Sequence, residues 1–257
     1  MKETFFPNRI IQVLALLLTA LLLSTPVFFF IDINSFEDIK LNTTIYFVIF
    51  CLIFIGLSYL INYKNKEKIK WDFDIVNIRL LYLLLILLFI FTIGINKPLN
   101  NIINYILNNK TELHNPFSNP LSAIGAILFA PILEEIIFRG IILKGLLTRY
   151  TPKYAIIFSS IIFGLIHGRP MQMWGALLIG LIFGWIYYKT KSIATTILLH
   201  SFVNFISLIN GYLLFAYSDS NHLSAINIFL IIISIPSTFI IIRQLILKLN
   251  IETIESK

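Results

Sequence analysis

The segment Ala130-Pro131-Ile132-Leu133-Glu134-Glu135-Ile136-Ile137-Phe138-Arg139-Gly140 places two adjacent carboxylates and an arginine inside an otherwise apolar stretch. A charged side chain in the hydrocarbon core of a bilayer costs between about 2.5 and more than 10 kcal/mol. Three such groups on one helix need polar partners. The residues that supply those partners therefore indicate what the chain can do.

The composition is that of a membrane protein. The chain has 257 residues, of which 58% are hydrophobic and 13% are charged, and its mean hydropathy is +0.86. A soluble domain is closer to half apolar and a quarter charged. We therefore expect an all-α, polytopic membrane protein that forms a single integral membrane domain over residues 1–257. The only cysteine, Cys51, lies in an apolar run, which excludes a disulfide framework.

Apolar stretches of about 20 residues, the length that crosses a bilayer as a helix, recur along the chain. They predict about eight transmembrane helices around a central polar cavity, near residues 10–31, 43–63, 73–95, 120–149, 153–167, 171–188, 192–214 and 223–247. A short interfacial helix is also predicted at 99–107, and Gly180-x-x-x-Gly184 predicts close helix packing. The first helix should be retained, because no small-x-small cleavage motif closes it.

The basic residues predict the orientation. With the N-terminus inside, the inner segments hold fourteen Lys and Arg residues and the outer segments hold four, while Arg79 and Arg139 lie within helices. Cytoplasmic loops carry the excess of basic residues in membrane proteins. We therefore expect both termini in the cytoplasm and, from the rich use of Ile, Asn and Lys, a bacterial plasma membrane. The basic residues are scattered over several loops, which argues against a nucleic-acid partner despite the net charge of +7.

The two glutamates of the fourth predicted helix face different neighbours. Glu135 and Arg139 are four residues apart, so they can pair along the helix. Glu134 points about 100° away from Glu135, toward a different neighbour. This spacing predicts that one carboxylate is held by arginine and that the other is available for chemistry.

Polar partners for Glu134 lie on two other predicted helices. His167 ends the fifth helix and follows Phe163 by four residues, and His200 and Asn204 share one face of the seventh. At 1.5 Å per residue, Glu134 and His167 lie about 20 Å from the cytoplasmic ends of their helices, and His200 about 12 Å. These depths allow the three side chains to meet in one cavity.

A carboxylate, two imidazoles and an amide are sufficient for hydrolysis. A glutamate beside a histidine can take a proton from water, and a histidine with an asparagine can stabilise the oxyanion that forms on an attacked carbonyl. Glu134, His167 and His200 could instead form a zinc site. A proton relay or ion site in a transporter, or simple helix–helix hydrogen bonds, would also use such residues. The chemistry alone leaves these alternatives open.

The three motifs together resemble a known family. Glu134-Glu135-x-x-x-Arg139, Phe163-x-x-x-His167 and His200-x-x-x-Asn204, in that order on three membrane helices, resemble the CPBP family of intramembrane proteases. This is the CAAX protease and bacteriocin-processing family, also called the ABI family. The match covers about residues 121–210, and the first three helices carry no matching motif.

The resemblance implies a role for each of these residues. It implies an eight-helix fold whose cavity opens to the cytoplasmic side, with Glu134 and His167 activating water and His200 and Asn204 forming the oxyanion hole. Glu135 and Arg139, with Phe163, would support them. The resemblance permits either a metalloprotease or a metal-free glutamate mechanism, and we favour no cofactor because the chain lacks an HExxH motif, although zinc is an alternative.

The family also implies a class of substrate. Eukaryotic relatives remove the last three residues from prenylated CaaX proteins, and bacterial members are linked to peptide processing, pheromone maturation and self-immunity to bacteriocins. We therefore expect membrane lipids as surroundings, and cleavage of a membrane-associated peptide or lipidated protein near the cytoplasmic face. The alternatives are a non-catalytic membrane scaffold or bacteriocin self-immunity protein, and a proton-coupled transporter.

Overall fold

The computed structural model describes residues 5–26, 36–69, 71, 73–106, 120–168, 170–216 and 225–255. Within these ranges the chain forms eight helices and no strand, which confirms the all-α fold class. The helices are α1 (Ile10–Ser24), α2 (Phe36–Lys64), α3 (78–106), α4 (Pro120–Leu147), α5 (Pro152–Ile166), α6 (Pro170–Thr190), α7 (Ile193–Ala216) and α8 (Ala225–Glu255).

Five of the helices are long and apolar enough to cross a membrane. Their spans are Thr44–Lys64, Ile78–Ile102, Pro120–Leu147, Ile193–Tyr212 and Ile228–Lys248. The polytopic membrane fold is therefore confirmed. Helices α1 and α5 are apolar but have 15 residues each. A helix of that length extends about 22 Å, which is less than the roughly 30 Å of a bilayer core.

Helix α3 differs from its prediction at both ends. It begins at Ile78 rather than near residue 73, because the Asn77 side chain accepts a hydrogen bond from the Leu80 N–H and caps the helix. The chain before it is fixed to the start of α7, where the Thr195 hydroxyl accepts from the Val76 N–H. At its other end α3 passes through a π-helical segment, Thr92–Asn96, into Lys97–Ile106. The residues predicted as a separate interfacial helix thus continue α3 as far as residue 106.

Helix α4 contains two π-helical segments, Gly125–Phe129 and Ile136–Leu143, on either side of the α-helical turn and a half Ala130–Glu135. Pro131 stands at the start of this turn, and proline has no N–H to donate to the preceding turn. π-Helical segments are rare and occur frequently at functional sites. The two glutamates therefore lie between two breaks in the regular hydrogen bonding of their helix.

Helices α5 and α6 form a closely packed antiparallel pair. A Cβ atom at Gly164 would lie 2.9 Å from the Met173 carbonyl oxygen, and one at Gly180 would lie 3.1 Å from Ser160 Cβ. One at Gly184 would lie 3.0 Å from a methyl carbon of Ile156. The prediction that Gly180 and Gly184 allow close packing is confirmed. This contact fixes the face of α5 that carries Phe163 and His167.

Most of the described basic side chains lie at one end of the bundle, the exceptions being Arg139 within α4 and Lys97 on α3. Contacts between α5 and α6, and between Asn62 of α2 and the Phe6 backbone at the start of α1, show that these neighbouring helices run in opposite directions. The helix ends that meet there, which we call the basic end, carry Arg9, Lys64, Lys66, Lys68, Arg79, Lys144, Arg149, Lys153, Lys189, Lys191, Arg243 and Lys248. That the basic end faces the cytoplasm remains a prediction from the positive-inside rule.

Candidate active site

The predicted pair of Glu135 and Arg139 is present and buried. Arg139 Nη1 lies 2.8 Å from Glu135 Oε1, and their side chains are 2% and 0% exposed. Arg139 Nη2 also donates to the Gly180 carbonyl, 3.4 Å away. The guanidinium lies 4.8 Å from the centre of the Phe163 ring and 5.4 Å from that of Phe183, in range of cation–π attraction. The arginine is thus held by a carboxylate, a carbonyl and two aromatic rings from α5 and α6.

The same glutamate also holds His200. His200 Nδ1 lies 2.9 Å from Glu135 Oε1. Because an ionised carboxylate only accepts hydrogen bonds, Nδ1 carries a hydrogen and donates it. The other ring nitrogen, Nε2, lies 3.7 Å from Glu134 Oε2. His200 therefore stands between the two glutamates, a contact that the spacing analysis missed because 65 residues separate Glu135 from His200.

His167 is oriented by its own helix. Its Nδ1 lies 2.7 Å from the Phe163 carbonyl oxygen, and a carbonyl can only accept, so Nδ1 is the donor. In the neutral ring Nε2 is then free of hydrogen and able to accept a proton. The ring packs edge-on against Phe163, with centres 4.9 Å apart, and Phe163 also meets the His200 ring at 5.9 Å. Phe163 thus packs against both histidines, and these contacts are consistent with the supporting role predicted for it.

Glu134 and His167 line one cavity. The cavity has a volume of about 20 Å³, which is enough to hold a water molecule, and it is partly open. The Glu134 side chain is 16% exposed, whereas that of Glu135 is fully buried. The remaining wall is mostly apolar and aromatic, and it consists of Leu17, Phe47, Phe50, Cys51, Ile137, Phe138, Phe163 and Ile166. Helices α1 and α2, which carry no family motif, thus build one side of the site, and sequence analysis gave no signal for their contribution.

Asn204 occupies a different place from the other predicted residues. Its Nδ2 donates to the Ala126 carbonyl oxygen at 2.8 Å. Ala126 precedes Glu134 by eight residues, about 12 Å along the helix. The structure thus gathers Glu134, His167 and His200 and places Asn204 one turn further along α7, against the first half of α4.

The residues considered as zinc ligands are not grouped as a metal site. Over the described ranges, no group of three or more His, Cys, Asp or Glu side chains is arranged to hold a metal ion. In both histidines Nδ1 is bonded to a protein oxygen, which leaves Nε2 as the ring nitrogen that faces other partners.

Comparison with known proteins agrees with the motifs. The sequence model of the family described as Type II CAAX prenyl endopeptidase Rce1-like matches residues 116–206, a range that contains all three motifs. This part of the chain is therefore similar to the family, and we call residues 116–206 the matched range. The chain is also similar to a Bacillus subtilis (strain 168) protein named "Putative membrane peptidase YdiL", with 36% identity over 85 residues.

Both matches cover only part of the chain. The alignment with the Bacillus protein covers 33% of this chain and 35% of that relative, so the chain spans about a third of the curated relative it matches. No solved structure shows a significant match. The matched range contains α4 to α6 and the part of α7 up to residue 206, while α1 to α3 and α8 lie outside it.

Proposed function

We propose that the chain is an intramembrane endopeptidase that hydrolyses a peptide bond of a membrane-associated peptide or lipidated protein. One observation carries this proposal: Glu134 opens into an apolar cavity beside His167, and its carboxylate lies 3.7 Å from a histidine that Glu135 holds in place. The match to the Rce1-like family model and the similarity to a protein named as a putative membrane peptidase support the proposal.

Glu134 acts as the general base of this mechanism. A water molecule between Glu134 and His167 Nε2 gives one proton to the carboxylate as its oxygen bonds to the carbonyl carbon of the substrate. The tetrahedral intermediate then breaks its C–N bond, and Glu134 returns the proton to the leaving amine. The aromatic wall excludes bulk water, which strengthens the electrostatic interactions of these groups.

His200 stabilises the oxyanion. When its ring carries both hydrogens, Nε2 faces the space beside Glu134 as a donor, and Glu135 on Nδ1 orients the ring and stabilises its positive charge. Asn204 lies one turn further on the same face of α7. Its amide is bonded to the Ala126 carbonyl oxygen, so His200 is the oxyanion donor of this mechanism.

The walls and the depth of the cavity bear on the substrate. Its aromatic and aliphatic lining favours an apolar or lipid-bearing segment next to the scissile bond. Glu134 is 13 residues from Leu147, about 20 Å along α4 from the basic end, and a bilayer core is roughly 30 Å thick. This depth favours a scissile bond drawn into the bilayer over one at the cytoplasmic surface, where the family resemblance predicts cleavage.

Cleavage by the purified chain in liposomes tests the proposal. Two internally quenched probes serve: a peptide with an S-farnesyl cysteine followed by three residues, and an unlipidated transmembrane peptide. We expect Glu134→Gln and His200→Ala to abolish cleavage while the protein stays folded. Glu67→Gln, in the loop before α3, should cleave normally and is the matched control.

Equal cleavage by wild type and Glu134→Gln would exclude the proposed mechanism. The scaffold and self-immunity alternatives make the opposite prediction in cells. If a deletion phenotype is restored by the Glu134→Ala and His200→Ala proteins, the chain acts without hydrolysis.

A further inference from the structure

Pro131 leaves one carbonyl of α4 without its usual backbone partner. In the π-helical segment before it, each N–H bonds to the carbonyl five residues earlier, and the Ala130 N–H accordingly donates to Gly125 O. The next residue in this register is Pro131, which should donate to Ala126 O. Proline has no N–H, so the backbone cannot make that bond.

Asn204 supplies a donor at this position. Its Nδ2 lies 2.8 Å from Ala126 O, although 78 residues separate the two in sequence. Ala126 lies inside the span Pro120–Leu147. Lipid offers no hydrogen-bond donor, so an unpaired backbone carbonyl in a membrane span is costly. The side chain from α7 thus satisfies the acceptor that the proline of α4 has released.

We propose that Asn204 is a positioning residue that replaces the missing N–H of Pro131 and thereby fixes the break in α4. The turn that carries Glu134 and Glu135 begins at Ala130, immediately after the π-helical segment. The hydrogen bond ties this segment to α7, the helix from which His200 reaches both glutamates. Two residues on one face of α7 therefore act on Glu134. His200 places its ring beside the carboxylate, and Asn204 fixes the helix register from which Glu134 projects.

A double-mutant cycle between positions 204 and 131 tests the pairing. In Pro131→Ala a backbone donor reaches Ala126 O in either register: residue 131 donates to it in the π-helical register and residue 130 in the α-helical one. We expect Asn204→Ala to shift the unfolding equilibrium in micelles by roughly 3- to 20-fold in the wild-type background, the range of interhelical hydrogen bonds in membranes. In the Pro131→Ala background the shift should fall below about twofold.

Asn210→Ala is the matched control. Asn210 lies on the same helix, and its Oδ1 accepts from Lys97 rather than from α4. Its effect on unfolding should be the same in both backgrounds. If Asn204→Ala also costs the same in both backgrounds, the proposal is wrong.

The kcat of folded protein on the farnesylated probe distinguishes positioning from stability alone. This measurement rests on the proposed protease function, whereas the unfolding measurement does not, so the two can fail separately. At a temperature where every variant is folded, Asn204→Ala should lower kcat more than Asn210→Ala, and Pro131→Ala should recover part of the loss. A kcat for Asn204→Ala equal to that of Asn210→Ala would refute the positioning role.

Discussion

Replacement of Arg139 by leucine should destabilise the protein strongly. The guanidinium and Glu135 are almost completely buried, and removal of one partner leaves the other as an uncompensated charge. Breaking a buried ion pair in this way costs about 3–5 kcal/mol. Glu135 Oε1 keeps the hydrogen bond from His200 in this variant, but Glu135 Oε2 is buried without a hydrogen-bond partner among the described residues, so the carboxylate stays poorly compensated.

The double variant Glu135→Leu/Arg139→Leu should recover most of that loss. Replacing both members of a buried ion pair by apolar side chains of similar volume often leaves the stability of the protein unchanged or raises it by about 1–4 kcal/mol. Cleavage should not recover, because His200 Nδ1 loses its acceptor Glu135 Oε1, which orients the ring. Removing an oxyanion donor lowers kcat by about 10²- to 10³-fold, and we expect a loss of that size.

Unfolding in mixed micelles, followed by tryptophan fluorescence, measures the first effect, and cleavage of the farnesylated probe measures the second. Arg243→Leu is the control, since Arg243 is exposed near the end of α8 and its loss should change neither quantity. A double variant as unstable as Arg139→Leu would show that packing, not charge, explains the loss. A stable double variant with normal cleavage would refute the role of Glu135 in orienting His200.

Three further predictions concern the walls of the site and its chemistry. Gly164→Leu should force α5 away from the Met173 backbone and cost about 1–3 kcal/mol with reduced cleavage, whereas Gly56→Leu, whose Cβ position is open, should be nearly neutral in thermal unfolding. N-ethylmaleimide should leave the cleavage rate of the folded wild type unchanged, because Cys51 in the cavity wall is almost completely buried and buried thiols are inert; inactivation that Cys51→Ser abolishes would contradict this. EDTA should leave the cleavage rate unchanged, because the candidate ligands do not form a metal site, and restoration of a lost rate by added zinc would contradict this.

Local spacing in the sequence predicted what lies within one helix. The Glu135–Arg139 pair, the packing glycines of α6 and the separation of the two glutamates all follow from helical periodicity, and the structure has each of them. Motif order predicted that α4, α5 and α7 meet. No spacing rule could show that Glu135, already paired with Arg139, also accepts from His200, because that contact depends on how α7 is rotated against α4.

The parts of the site that could not be predicted depend on long-range packing. Phe47, Phe50 and Cys51 of α2 look like ordinary lipid-facing residues in the sequence, and only the fold brings them opposite Glu134. Pro131 is visible in the sequence as a residue without an N–H to donate. The residue types do not specify the π-helical register of α4. That register determines which carbonyl loses its backbone donor, and therefore that Asn204 bonds to Ala126 O.

The adjacency of the two glutamates explains how a carboxylate can be kept reactive in such an apolar place. Glu135 is anchored from both sides, by Arg139 on its own helix and by His200 from α7. Because consecutive residues of a helix differ by about 100°, fixing Glu135 also fixes the direction of Glu134 without any strong bond to it. The 3.7 Å separation from His200 Nε2 leaves Glu134 loosely held beside the cavity. Glu135 thus makes the hydrogen bonds that position this turn of α4. The oxygens of Glu134 stay available to take a proton from water.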